Sequence, residues 1–185
     1  MDTKDKNIRY QRQIILNELG LYGQHKLLSS KVLLIGAGGL GCPALQYLSA
    51  AGVGQIGIVD FDVVEVSNLH RQVLYSMSDI GKPKAEAAAR KIIAFNPEIQ
   101  TDAFIVQLTN KNALELIRNY DLVIDCSDNF YTRYLVNDAC VILEKPLIYG
   151  AVMRFEGQVG VFNMVGKDAK SKANYRDLFP IPPDS

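Results

Sequence analysis

The chain has no excess of charge of either sign, only two histidines, and too few cysteines for a cross-linked or metal-knit fold. Twenty Lys and Arg balance twenty Asp and Glu, so no basic field exists to concentrate a polyanion. A nucleic-acid partner would need a local basic patch, and none is visible. Cysteine is limited to Cys42, Cys126 and Cys140. That number is odd, the spacing is too wide for a metal knuckle and the count too low for a disulfide framework, which fits a reducing cytoplasm. The opening MDTKDKNIRYQRQ lacks the apolar core of a secretory signal. One long charge-free run does occur: Val32 to Val59, 28 positions without a charged residue or histidine, enough to cross a bilayer as a helix. Seven glycines and Pro43 inside it argue against a continuous helix and fit a strand, tight turn, helix and second strand in succession. No membrane partner is expected.

What is present is an ordinary globular composition, 185 residues with 48% hydrophobic and 22% charged, sized for one domain with an attached tail. Val32-Leu33-Leu34-Ile35 is a continuous apolar run ending at glycine, the pattern of a parallel strand buried on both faces. A helix from Leu40 to Ala51 and a strand Ile56 to Val59 complete a βαβ unit. Pro83 and the Ala-rich KAEAAARKIIAF, stopped by Asn96-Pro97, predict the strongest helix of the chain. A strand around Ile99 to Val106, a helix near Asn112 to Asn119, a strand Leu122 to Ile124, a helix from Phe130 to Leu143 and a strand Leu147 to Tyr149 continue the alternation. The expected fold is α/β, a Rossmann-like doubly wound and mostly parallel sheet. An irregular helical arm precedes it (1–30), the α/β domain covers 31–165, and EGQVGVFN adds an antiparallel strand at the sheet edge. The polar, Pro-rich segment 166–185 is expected to leave the domain as extended chain.

The chemistry begins at Gly36-Ala37-Gly38-Gly39-Leu40-Gly41, a GxGxxG directly after a strand and opening a helix, with Asp60 at the end of the next strand. Gly36, Gly38, Gly39 and Gly41 let backbone N–H groups approach a phosphate, and a carboxylate about 20 residues on can accept ribose hydroxyls. A turn needed only for close packing would leave Asp60 unexplained. Displacement at a phosphate needs cations and a metal carboxylate, whereas a dinucleotide oxidoreductase needs few. The candidates are Asn68 and Arg71 in SNLHRQ, Lys84 at the start of the Ala-rich helix, and Asp128 in DCSDN. Each has a plainer reading: Arg71 and Lys84 as solvated surface charges, Asp128 as the cap of the next helix. Their joint placement after successive strands favours one crevice at the carboxyl edge of the sheet. His70 reads as a packing or backbone-positioning residue, and the three cysteines as buried small hydrophobes.

These segments resemble the HesA/MoeB/ThiF group, related to ubiquitin-activating enzymes. The resemblance rests on RYQRQIIL (Arg9 to Leu16), KVLLIGAGGLGCP (Lys31 to Pro43), AAGVGQIGIVDFDVVEVSNLHRQ (Ala50 to Gln72), IGKPKAEAA (Ile80 to Ala88), DCSDN (Asp125 to Asn129) and GAVMRFEGQVGVF (Gly150 to Phe162). It implies adenylation of the C-terminal Gly-Gly carboxylate of a ubiquitin-like sulfur-carrier protein, of the molybdopterin or thiamin type, by attack on the α-phosphate of ATP with Mg²⁺. It further implies that Asp60 binds the ribose, that Asp62, Ser67, Gln72 and Asn129 belong to the nucleotide site, that Asn68, Arg71 and Lys84 handle phosphates, and that Asp128 serves the magnesium. Arg12 would reach the γ-phosphate in a neighbouring subunit, which implies a homodimer.

The assigned residue types are physically sensible. A C-terminal carboxylate with a pKa of about 3.5 is already ionised at neutral pH, so no general base is required, and the task is to bring two anions together. Two departures from the family pattern stand out. Where members carry a CxxC of a zinc site, this chain reads Asn174-Tyr175-Arg176-Asp177, so no structural zinc is expected. The chain also ends at Ser185, before the loop and strands that help cradle the carrier, so an intact nucleotide half with an incomplete carrier groove is expected. A nicotinamide-dependent oxidoreductase and a non-catalytic nucleotide-binding or dimerisation module remain the alternatives.

Overall fold

The computed structural model describes residues 8–164 and 172–182. Two helices, α1 (Gln11–Ile14) and α2 (Gly20–Ser29), form the N-terminal arm. The βα alternation follows: β1 (Lys31–Ile35), α3 (Gly41–Ala51), β2 (Gln55–Val59), α4 (Lys84–Phe95), β3 (Gln100–Phe104), α5 (Ala113–Arg118), β4 (Leu122–Asp125), α6 (Phe130–Ile142) and β5 (Leu147–Met153). An antiparallel strand β6 (Glu156–Phe162) and a one-turn helix α7 (Tyr175–Leu178) complete the described residues.

The sheet order is β3-β2-β1-β4-β5-β6, with five parallel strands and β6 antiparallel to β5. Alternation along β1 shows why both faces are covered. Val32 and Leu34 enter one core with Leu45 of α3 and Ala85, Ala88 and Ile92 of α4. Leu33 and Ile35 enter the other with Ile117 of α5 and Val136 and Ala139 of α6. A strand with apolar side chains on both sides cannot face water on either, so helices must lie on both. The strand order reverses between β1 and β4, and a doubly wound sheet opens a crevice at such a point, beyond the carboxyl ends of the two strands. There Cys126 N–H bonds Ile35 C=O at 2.8 Å.

The arm is seated rather than loose. Tyr10 is buried, and its hydroxyl accepts a hydrogen bond from Asn96 Nδ2 at 2.9 Å. Gln13 and Gln24 both donate to Ala51 C=O, at 2.8 and 3.1 Å. The arm therefore closes the C-terminal end of α3, where Gly52 takes a positive φ of 84°.

Two sequence expectations change. The strand expected over Ile99 to Val106 ends at Phe104, and of the apolar residues beyond it Val106 and Leu108 line the crevice while Ile105 is exposed. The part of the 166–185 tail that is described does not leave as extended chain. Tyr175 is buried, its N–H bonds Asn137 Oδ1 at 2.8 Å, and Tyr134 Oη donates to Phe179 C=O at 2.9 Å. Arg176 grips Asp138 with two bonds of 2.7 Å. The polar and Pro-rich surroundings concealed two aromatic residues, four apart, that complete the core under β5 and β6. Residues 165–171 and 183–185 of that segment lie outside the described residues, as do the first seven.

The connection from β2 to α4 is held by one buried carboxylate. Asp79 accepts from Ser76 N–H and Oγ, from Lys91 Nζ at 2.9 Å and from Arg90 Nη2 at 3.1 Å. Burial pushes its pKa upward, but the bonds from Lys91 and Ser76 outweigh it and hold the group well below the usual carboxylate range. This anchorage fixes the loop that leads into Lys84. Asp79→Asn should cost about 2 kcal/mol at neutral pH, the range for a hydrogen-bonded charge. Because the folded-state pKa is depressed, that contribution is present above the unfolded value of about 3.9 and is lost as pH falls below it. Chemical denaturation of wild type and variant should therefore show a gap at neutral pH that closes as the solution is acidified.

Candidate functional site

A cavity of about 750 Å³ opens beside the β1–β4 switch, walled by the residues that follow β1, β2, β3 and β4. Its floor is the glycine turn. Gly36 has a φ of 88°, and a Cβ there would stand 2.9 Å from Cys126 C=O; a Cβ at Gly41 would stand 2.0 Å from Gly36 C=O. These two glycines are required by close backbone approach, so Gly41 is packed beneath the turn and does not line the cavity. Gly36, Gly38 and Gly39 do line it. Helix α3 starts immediately after; Cys42 and Ala44 N–H are taken by Gly38 and Leu40 C=O and Pro43 has no N–H, so the donors near an anion here are those of the glycine turn and the first residue of the helix.

Between these glycines, Ala37 is held at both ends. Its N–H bonds Asp60 Oδ2 at 2.8 Å, and its C=O accepts from the buried Tyr75 hydroxyl at 2.8 Å. Asp60 Oδ1 accepts from Asp62 N–H at 2.8 Å. Asp60 thus has a structural task that the sequence did not reveal, yet each oxygen retains a lone pair on the cavity side for a hydroxyl. Burial raises its pKa, opposed by the N–H groups of Asp62 and Ala37.

The cations stand on the same wall. Lys84 is buried, not the solvated surface charge of the plainer reading; its Nζ meets Asp62 Oδ2 at 2.9 Å, and its N–H bonds Asp62 C=O at 2.9 Å. Arg71 is exposed, lies over Gly39, and bonds Ser67 C=O at 3.3 Å. Asn68 and Gln72 line the cavity, the second with a buried Oε1 that has no partner. Ser67 does not line it and instead braces its neighbours, bonding Glu65 Oε2 at 3.1 Å and accepting from Asn68 Nδ2 at 3.3 Å. His70 is exposed and outside the lining, so the packing role expected of it is absent.

Across the cavity stand Asp128 and Asn129. The cap of α6 is Asn129, which accepts from Thr132 N–H at 2.9 Å. Asp128 is therefore free of the capping duty considered for it, is exposed, and forms no ion pair among the described residues. Cys126 is pushed up to about 12 by burial, Cys42 to about 11 and Cys140 to about 12, so none offers a thiolate. Arg12, on the arm, is exposed and outside the lining.

The lining also holds residues that sequence reasoning missed: Glu65, Val106, Gln107, Leu108, Ser127 and Arg133. Arg133 could have been found, because it lies one helical turn after the Asn129 cap and so returns to the cap's face. In all, the cations Arg71, Lys84 and Arg133 face the carboxylates Asp60, Asp62, Glu65 and Asp128. Such a wall can grip phosphates through individual cations but carries no net positive charge with which to neutralise a triphosphate.

A glycine turn, a helix N-terminus and a carboxylate after β2 at the switch point define a nucleotide-binding α/β domain. The chain belongs to the ThiF family, which residues 10–185 match. It is 55% identical to the sulfur carrier protein adenylyltransferase of Thermus thermophilus over 98% of this chain and 67% of that protein. It is 50% identical to the probable adenylyltransferase/sulfurtransferase MoeZ of Mycobacterium tuberculosis, over 98% of this chain and 46% of that one. The chain thus spans about two thirds of the first relative and less than half of the second. Among solved structures it resembles Escherichia coli TcdA, a tRNA N6-threonylcarbamoyladenosine dehydratase in complex with ATP, at a TM-score of 0.76 and 25% identity over 82% of this chain and 62% of that chain. It also resembles Escherichia coli MccB with AMPCPP and MccA, at 0.74 and 30% over 82% of this chain and 47% of that chain.

Gly41→Ala should lower stability by about 1–3 kcal/mol, the cost of forcing an atom into a filled site. Urea denaturation checks this, and an unchanged midpoint would show that the turn can relax away from Gly36.

Proposed function

We propose that this chain is the nucleotide-handling part of an ATP-dependent adenylyltransferase that activates the C-terminal Gly-Gly carboxylate of a ubiquitin-like sulfur-carrier protein, of the molybdopterin or thiamin type. The observation that carries the reading is the convergence of Arg71, buried Lys84 and Asp128 on one cavity beside the glycine turn and Asp60. The names of the Thermus and mycobacterial relatives support the same chemistry.

The substrate carboxylate arrives ionised, at a reference pKa of about 3.5, so its oxygen attacks the α-phosphorus directly. A new P–O bond forms, the bond to the bridging oxygen breaks, and pyrophosphate departs with the electron pair. Arg71 and Lys84 offset the charge that grows on the leaving group, and Asp60 orients the ribose. Asp62 holds Lys84 in place beforehand, which avoids ordering a flexible side chain during the reaction. Asn68, Gln72 and Asn129 offer polar side chains to the same ligand. Magnesium fits the oxygen donors of the lining, which offers carboxylates and no histidine or thiolate. Of the four cavity carboxylates Asp128 is the one that accepts no hydrogen bond and forms no ion pair among the described residues, and Mg²⁺ is commonly held by one or two carboxylates together with substrate phosphates. Bound there, the ion would supply the positive charge that the cavity walls lack.

Arg12 belongs to this reading as a residue offered to a second subunit of a homodimer, from an arm fixed by Tyr10 and Gln13. No helix among the described residues is long and apolar enough to cross a membrane, and a cytoplasmic site of action is part of the proposal. The Asn174–Asp177 segment is read as metal-free, because its side chains already serve one another. Asn174 caps α7 and Asp177 closes the capping box.

Calorimetric titration should show MgATP binding to this chain and no NAD binding, with Arg71→Ala weakening MgATP by about tenfold or more, the value of one charge-assisted bond. NAD binding indifferent to Arg71 would instead favour an oxidoreductase. MgATP binding without pyrophosphate exchange, in a chain extended to the full length of the relatives and supplied with a Gly-Gly carrier, would favour a non-catalytic module. Elemental analysis should find no stoichiometric zinc.

A further inference from the structure

We infer that Arg133, with Asp125, is a positioning device that clamps the two peptide groups on either side of Ser127 and so aims the Asp128 carboxylate into the cavity. The inference rests on the adenylyltransferase reading only for the role of Asp128.

The loop from Cys126 to Asn129 must leave the sheet and turn into α6 within four residues. Cys126 N–H is fixed to β1, and Asn129 is fixed as the helix cap. Ser127, between them, is gripped by two buried charges of opposite sign. Asp125 Oδ1 accepts its N–H at 2.9 Å, and Arg133 Nη2 donates to its C=O at 3.2 Å. Bonds to ionised groups are about twice as strong as neutral ones, so the two peptide planes that meet at Ser127, one through its N–H and one through its C=O, are held far more firmly than those of an ordinary loop residue. The next residue is Asp128, whose side chain has no partner to aim it. Its direction is therefore set by the backbone on either side.

Arg133 is itself held in place. It is 9% exposed, and its guanidinium carbon lies 5.2 Å from the Phe130 ring centre and 5.4 Å from that of Tyr149. Nη1 reaches Tyr149 Oη at 3.5 Å, and that hydroxyl lies 3.2 Å from Gln158 Oε1 on β6. The arginine makes no ion pair among the described residues. A buried cation spent on a loop carbonyl and two aromatic faces costs desolvation that an apolar residue would avoid. Arg133 Nε and Ser127 Oγ are also left buried without partners. Such expense at a cavity wall is the pattern of a site whose geometry is being held.

The test separates aiming from folding by comparing ligands with and without metal-bound phosphates. Arg133→Ala should weaken MgATP by about tenfold to a hundredfold, the usual range for loss of an outer-shell partner of a metal ligand. AMP without magnesium, titrated in parallel, should bind within about twofold of wild type, since the glycine turn and Asp60 are untouched. Methylguanidinium added to Arg133→Ala should restore part of the MgATP affinity. Tyr149→Phe, which removes only the hydroxyl that Nη1 reaches, should give a smaller loss of the same kind and serves if Arg133→Ala does not fold. Equal losses for MgATP and AMP, or no loss for either, would overturn the inference. Failure of the underlying reading looks different, because wild type itself would then bind MgATP no better than NAD.

Discussion

The close approach of two backbone segments at the β1–β4 switch is the constraint on which the rest depends. Gly36 lies so near Cys126 C=O, and Gly41 so near Gly36 C=O, that neither position has room for a Cβ. The chain leaving β1 is thereby forced into a flat turn against the end of β4. That turn frees the space in which the cavity forms and brings the start of α3 to its edge. A bulkier turn would fill the crevice with protein, and the polar residues of four separate loops would have nothing to converge upon.

Two of the turns that border the cavity, those after β1 and β4, are held in the same way. Ala37 is bonded through its N–H to Asp60 and through its C=O to Tyr75; Ser127 is bonded through its N–H to Asp125 and through its C=O to Arg133. In each turn a strand-end carboxylate holds an N–H and a long side chain from a later segment closes the carbonyl. A loop residue with both backbone groups satisfied by buried or half-buried side chains has few ways to move, which suits a site that must meet a charged ligand without reorganising. The cavity's charges are arranged on the same principle. Lys84 is held by Asp62, and the three cations of the lining are matched by four carboxylates, so the walls carry no excess of positive charge.

The fold was legible because its signals are local. Apolar runs bounded by glycine, the Ala-rich helix after Pro83 and the alternation in EGQVGVFN each reflect which faces of an element must be buried, and these appear directly as residue order. Two elements were misread for a physical reason. After Phe104 the apolar residues divide between solvent (Ile105), cavity wall (Val106) and a core position that also borders the cavity (Leu108), and hydrophobicity does not distinguish these settings. In the segment around Tyr175, one buried and one half-buried aromatic, Tyr175 and Phe179, matter more than the charged and proline residues that dominate the composition.

In the site, residue types and motifs indicated Asp60, Asn68, Arg71, Lys84 and Asp128, because a glycine turn followed by cations and carboxylates after successive strands is a pattern along the chain. Sequence alone also determined the parallel, two-faced sheet and the glycine positions, since both follow from steric and hydrophobic rules that act on neighbouring residues. Only the tertiary structure decided that Lys84 is buried against Asp62, that Ser67, Gly41 and His70 stand back from the cavity, and that Arg133 enters it. These are distances between segments far apart in the chain, and they depend on how the strands order themselves around the switch, which no local pattern encodes.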